Sequence, residues 1–140
     1  EMRARVASAK APAGPWDAKL GAGRLLELEL VSQAGNLMAG QAARDVTSGF
    51  AGGVAIGWLS DGDGAALSAA YALCWRVQRV ARLISDKPLE PERMGEGGAA
   101  FLLRETEQEG LAMLQERLET LCHRAAQVMD AALMRLPKGR

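Results

Sequence analysis

Histidine and cysteine are nearly missing from this chain of 140 residues, which has one His and two Cys. The two cysteines, Cys74 and Cys122, are too few and too widely separated along the chain for a disulfide framework, and they imply a reducing compartment. His123, with no second histidine or cysteine pair near it, excludes a zinc site, and no Ser/His/Asp or Cys/His arrangement offers a nucleophile. A charge imbalance is also missing: 17 Lys+Arg stand against 17 Asp+Glu, so no overall field draws the chain to nucleic acid or a membrane surface. No run of about 18 apolar residues occurs, which excludes a membrane-spanning helix. The first residues carry charges and no apolar signal core, so secretion is unsupported and a cytoplasmic location is expected. An apolar fraction of 49% argues against disorder, and the length suits one domain with a real core. Glu1 is no natural start; the chain is expected to be a piece of something longer.

What is present begins with Pro15 to Gln33, PWDAKLGAGRLLELELVSQ, a turn-rich approach that runs into a leucine-rich helix bearing acids. Set at about 100° per residue, a helix from Gly23 to Gly40 places Leu25, Leu26, Leu28, Leu30, Val31, Ala34, Leu37 and Met38 over most of its circumference. Glu29, Ser32, Gln33 and Asn36 gather into one polar stripe. Glu27 points to the far, buried side, where an unpaired carboxylate costs several kcal/mol and so requires a cation, a donor or water.

Asp45 or Thr47 can cap a second helix running to about Leu59, with Val46, Phe50, Val54 and Trp58 as its buried stripe. Gly49, Gly52, Gly53 and Gly57 each disfavour helix by about 1 kcal/mol, which implies close helix contact or partial irregularity. No GxxxxGK[ST] phosphate loop is present. Residues 60 to 64 read as a turn with Asp63 as the cap of a helix from Ala65 to Ile84. Its apolar arc leaves Arg76, Arg79 and Arg82 outside, beside Trp75. Those arginines are either a solvated face, or partners of Glu27, Glu29 or an anionic molecule. Residues 85 to 98 read as an exposed polar connection, followed by helix from Ala99. From Leu111 the spacing Leu111, Leu114, Leu118, Leu121, Ala125, Val128, Ala132 predicts a long helix packed lengthwise within the chain, with His123 opposite the seam. The expected architecture is therefore all-α: a compact bundle of about five helices with a long C-terminal one, over residues 15–136. Residues 1–14 are a linker or the tail of a preceding domain, and residues 137–140 a loose tail.

Asp17, Lys19, Gly21, Gly23, Glu29 and Gln33 stand in a pattern that resembles one of glutamine synthetase adenylyltransferases, roughly D-x-K-x-G-x-G-G-L-x-D-I-E-F with Gln four residues after its Glu. The departures are Arg24 for the last glycine, Glu27 for Asp, Leu28 for Ile and Leu30 for Phe. Thr47, Gly57-Trp-Leu59, Ala70-Tyr71 and Trp75-Arg-Val-Gln78 extend the likeness across roughly residues 15 to 130, closer to the second, C-terminal helical domain of that family than to the first.

The resemblance implies a helical domain directly after a nucleotidyltransferase domain, in an enzyme that moves AMP from ATP to a tyrosine of glutamine synthetase. It implies ATP and Mg2+ for the parent enzyme. As partners it implies glutamine synthetase, a nitrogen-regulatory signalling protein and the preceding domain. The catalytic Gly-Ser and Asp-x-Asp elements of that family do not occur here, so this chain alone is expected to hold no catalytic residue, metal or cofactor, and to be inactive. Asp17, Lys19, Gly21, Glu27, Glu29 and Gln33 are then candidates for the nucleotide cleft or the domain junction, and Arg76, Arg79 and Arg82 for an acid-pairing or protein-binding face. The rival readings are a non-catalytic helical interaction module, or the helical part of a related uridylyltransferase.

Overall fold

Side-chain caps start two of the helices in the first half of the chain. The computed structural model describes residues 14, 16–42, 45–84 and 89–136, and among them every regular element is helical. These elements are α1 (Leu25–Ala39), α2 (Val46–Ala55), α3 (Asp61–Ile84), α4 (Pro91–Thr106) and α5 (Leu111–Met134). The five-helix, all-α expectation holds, and α5 is long, at 24 residues like α3. The tails expected at residues 1–14 and 137–140 fall, but for Gly14, outside the described residues.

At α2, Asp45 Oδ1 accepts from the Ser48 N–H at 2.8 Å, and the Ser48 hydroxyl faces the Asp45 N–H in return, a reciprocal capping box. The same device starts α3 four residues earlier than expected. Ser60 Oγ accepts from the Asp63 N–H at 3.0 Å, and Asp63 Oδ2 accepts from the Ser60 N–H at 3.2 Å. Ser60 is therefore the cap and Asp63 its partner inside the first turn, not the reverse. Ser60→Ala removes the acceptor and is expected to lower stability by about 1 kcal/mol in urea unfolding; an unchanged midpoint would show that this turn is not held by its cap.

α2 stops at Ala55, short of the expected Leu59, because Gly57 takes a left-handed φ of 82° and the Trp58 and Leu59 N–H groups both turn back to the Gly53 carbonyl. The connection expected over residues 85–98 is already helical from Pro91, which sits at N1 behind Glu90, where its missing N–H costs nothing. Residues 85–88 of that connection lie outside the described residues; Leu89 and Glu90 are non-helical as expected but Leu89 is buried, and Gly95, with a φ of 71°, breaks α4.

α1 crosses α2, while α3 lies against both α4 and α5. One core holds Trp16, Leu25, Cys74, Val77, Leu102, Leu114, Leu118 and Cys122, and a second holds Leu28, Phe50, Trp58, Leu67, Val128 and Met129. The seam predicted on α5 is buried at Leu114, Leu118, Ala125, Val128 and Ala132 and half-buried at Leu111 and Leu121; Cys122 and Met129 widen it, and His123 is exposed. α5 is pinned to the α2–α3 junction by Trp58 Nε1 donating to the Ala132 carbonyl at 2.9 Å and by Arg135 donating to the Trp58 carbonyl.

The polar stripe predicted on α1 does not stay together. Glu29 and Gln33 are exposed, but Ser32 and Asn36 are buried against α2, and Leu37 is 81% exposed. The reason is proximity. Added Cβ atoms at Gly35 or Gly49 would overlap the backbone of the facing helix, so only small groups fit the crossing. There Ser32 Oγ donates to the Val46 carbonyl at 2.7 Å, and Asn36 Oδ1 accepts from Gln41 Nε2 at 2.7 Å. The close contact expected of the α2 glycines is present.

Candidate functional site

The approach to α1 is built by its own motif residues. Asp17, buried, accepts from the N–H groups of Lys19 (3.1 Å) and Leu20 (3.0 Å), a side-chain turn that holds the backbone of the loop. Its carbonyl accepts from Arg24 Nη1 at 3.2 Å. The Ala18 and Lys19 carbonyls receive the Leu25 and Leu26 N–H groups at 2.9 and 3.0 Å, so the loop satisfies donors that the first turn of a helix otherwise leaves open. Gly21 adopts φ 116° and its carbonyl takes the Arg24 N–H. Glu27 is 3% exposed, beside an apolar hollow with Leu30, Val31, Ala34, Met129, Leu133 and Leu136. The donor that its burial required is the Gly23 N–H, 2.9 Å from Oε1. Asp17, Gly21 and Glu27 thus shape the loop from within.

That loop sets Lys19, exposed, at one end of a groove of about 390 Å³. Leu25, Leu26 and Glu29 continue its first wall. Tyr71, Trp75, Gln78, Arg79, Arg82 and Leu83 of α3 form the other. Of the residues expected to act together, the fold joins Lys19 and Glu29 with Arg79 and Arg82. Gln33 lies exposed further along α1 and outside the groove. Arg76 also lies outside it, 3.5 Å from Glu107 in an exposed pair. Tyr71 and Gln78 had not been singled out as site residues, yet positions 71, 75, 78 and 82 follow the i, i+4, i+7, i+11 spacing that puts side chains on one helix face.

Three cations line the groove against one carboxylate, Glu29. Arg79 stands over the Trp75 ring, its guanidinium carbon 5.4 Å from the centroid, which fixes both side chains beside the open space. Burial pushes the Tyr71 phenol above its usual range, and the Glu29 and Asp45 carboxylates push in the same direction, so at neutral pH it stays protonated and can donate a hydrogen bond. Cations, a phenol donor and an indole face suit an anionic partner carrying a planar or apolar part. Among the described residues no group of three or more His, Cys, Asp or Glu gathers to hold a metal ion, and no helix is long and apolar enough to cross a membrane.

Among the described residues the fold is a helical bundle with a cationic, aromatic-lined groove between α1 and α3. Compared with family models, curated proteins and solved structures, the chain matches none.

Proposed function

We propose that the chain is the helical domain following the nucleotidyltransferase domain of a glutamine synthetase adenylyltransferase, working in the cytoplasm, and that its groove faces the nucleotide cleft or the junction with that domain. One observation carries this reading: the motif loop is folded by Asp17, Gly21 and Glu27 so that Lys19 and Glu29 stand opposite Arg79 and Arg82. The catalytic carboxylates, ATP and Mg2+ belong to the neighbouring domain, since the groove brings only Glu29 as an acid. This chain contributes cations that can stabilise phosphate charge, or a rigid seat for the domain that does. The parent enzyme then transfers AMP to a tyrosine of glutamine synthetase, and can remove it, under a nitrogen-regulatory signalling protein.

In the full-length enzyme, Lys19→Ala and Glu29→Ala are expected to lower adenylylation roughly tenfold each, equivalent to about 1.4 kcal/mol of transition-state stabilisation, with the helical content unchanged. Wild-type turnover in both variants would leave the loop with a packing role only. A second reading has its own observation: Trp75 is 46% and Leu83 66% exposed beside Arg79 and Arg82, a surface suited to an acidic protein partner. Loss of binding to glutamine synthetase on Trp75→Ala, with turnover of a saturating substrate preserved, would favour that reading.

A further inference from the structure

Cys74 of α3 and Cys122 of α5 are far apart in sequence, yet their Sγ atoms face each other at 3.4 Å inside the first core, and both are free thiols. Distance along the chain argues against a disulfide framework, and the bundle removes that objection by packing α3 on α5. Closing the pair to a sulfur–sulfur bond of about 2.05 Å requires a movement of little more than about one ångström. We propose that Cys74 and Cys122 form a redox-active dithiol, a modification site that a hydroperoxide converts to an intramolecular disulfide joining α3 to α5.

The surroundings suit the chemistry. Cys74 and Cys122 are 0% and 2% exposed, so bulky reagents are shut out and the oxidant class is a small hydroperoxide that reaches the pair through local opening of the bundle. Cys122 is the attacking sulfur because the hydrogen bond shared with Cys74 holds its thiol below the usual range against the effect of burial. The Arg24 guanidinium favours the thiolate at both sulfurs and does not choose between them. Cys74 is pushed up, first by that shared hydrogen bond and then by burial, and so keeps its proton. The Cys122 thiolate attacks one peroxide oxygen and the O–O bond breaks, leaving a sulfenic acid on Cys122 and, after one proton is taken up, one water. Cys74 sulfur then attacks the Cys122 sulfur. The S–O bond breaks, and the hydroxyl leaves with the Cys74 proton as a second water. Two thiols lose two electrons, and one hydrogen peroxide is reduced to two waters.

The site lies under both walls of the groove. Trp75 follows Cys74 on α3, and Gly23 of the approach loop rests so near the Cys122 carbonyl that a Cβ there would overlap it. Bond formation is therefore expected to alter the environment of Trp75, whether or not the chain serves a nucleotidyltransferase.

The test treats the folded 140-residue chain with hydrogen peroxide, then unfolds it in an alkylating agent and weighs it. The expected product is a monomer that has lost two hydrogens, takes up no alkyl group, regains both thiols with dithiothreitol, and shows a shifted tryptophan emission and a higher unfolding midpoint. Cys74→Ala and Cys122→Ala, checked for helical content by circular dichroism, should instead stop at oxygen adducts on the remaining sulfur. Should either variant fail to fold, the mass of the wild-type product decides alone. Oxygen adducts on one wild-type sulfur with the other still alkylated, cross-linked dimers, or two untouched thiols would each overturn the assignment.

Discussion

Gly23→Ala is expected to destabilise the chain by about 3 kcal/mol, the sum of roughly 1–2 kcal/mol for placing a Cβ in left-handed backbone and a similar amount for forcing two packed segments apart. Gly23 has φ +72°, and its missing Cβ is where the Cys122 carbonyl oxygen lies. The carbonyl belongs to α5, in register with Leu118 and Ala125 of the core, so it has no room to retreat. Moving Gly23 also moves the N–H that Glu27 accepts, leaving a buried carboxylate to find another donor. Gly40→Ala serves as the control. Gly40 has nearly the same φ, +67°, but a Cβ there would meet no atom within 4 Å, so only the backbone contribution of about 1–2 kcal/mol remains. Urea unfolding of both variants, with unchanged m-values, separates the two effects. Equal losses would mean that the loop does not rest on α5, and the groove's first wall would lose its foundation.

Where periodicity alone decides a face, the sequence was readable. The seam on α5 and the arc on α3 emerged from spacing because each helix buries one broad stripe against large neighbours. The same reasoning misled at α1. It sets Ser32 in a polar stripe and groups Leu37 with the other apolar residues, whereas the fold buries Ser32 and leaves Leu37 exposed, because α2 comes so close that bulk is excluded and a serine hydroxyl bonding to Val46 is what fits. Hydropathy records polarity, whereas this crossing selects on size. Helix starts show a related limit. Ser60 and Asp63 both favour a cap, and only the direction of their two hydrogen bonds tells which is the cap and which the partner.

The candidate site divides along the same line. That Glu27 needed a donor followed from its position on the wheel, but the Gly23 N–H became visible only with the loop folded. That Arg76, Arg79 and Arg82 share one side of α3 was legible. Which of them lines the groove with Glu29 was not, because it depends on how far α3 is rolled about its axis against α1. The roll that buries Cys74, Val77 and Val80 turns Arg79 and Arg82 to the groove and Arg76 toward Glu107. The face of α3 that packs thus sets the chemistry of the face that does not.

The α1–α2 crossing gives a prediction whose sign separates two physical accounts. By helix propensity alone, Gly49→Ala should stabilise α2 by about 1 kcal/mol. By packing, it should destabilise, since its Cβ would overlap both the Ser32 carbonyl and the Ser32 hydroxyl. Two helical backbones are stiff, and separating them costs more than propensity returns; the expected net loss is about 2 kcal/mol. Separation would also stretch the bond from Ser32 to the Val46 carbonyl, now 2.7 Å. Gly97→Ala in α4, where an added Cβ would meet nothing within 4 Å, should move the other way, a gain of about 0.5–1 kcal/mol. Because an added Cβ at Gly35 would meet the Gly49 carbonyl, Gly35→Ala strains the same crossing, and the double variant should lose less than the sum of the two single losses. Once one methyl has pushed the helices apart, the second finds space already made. Strict additivity would mean that the two glycines act independently. A gain in stability from Gly49→Ala would show that the helices can part freely, and the burial of Ser32 and Asn36 would then lack its cause.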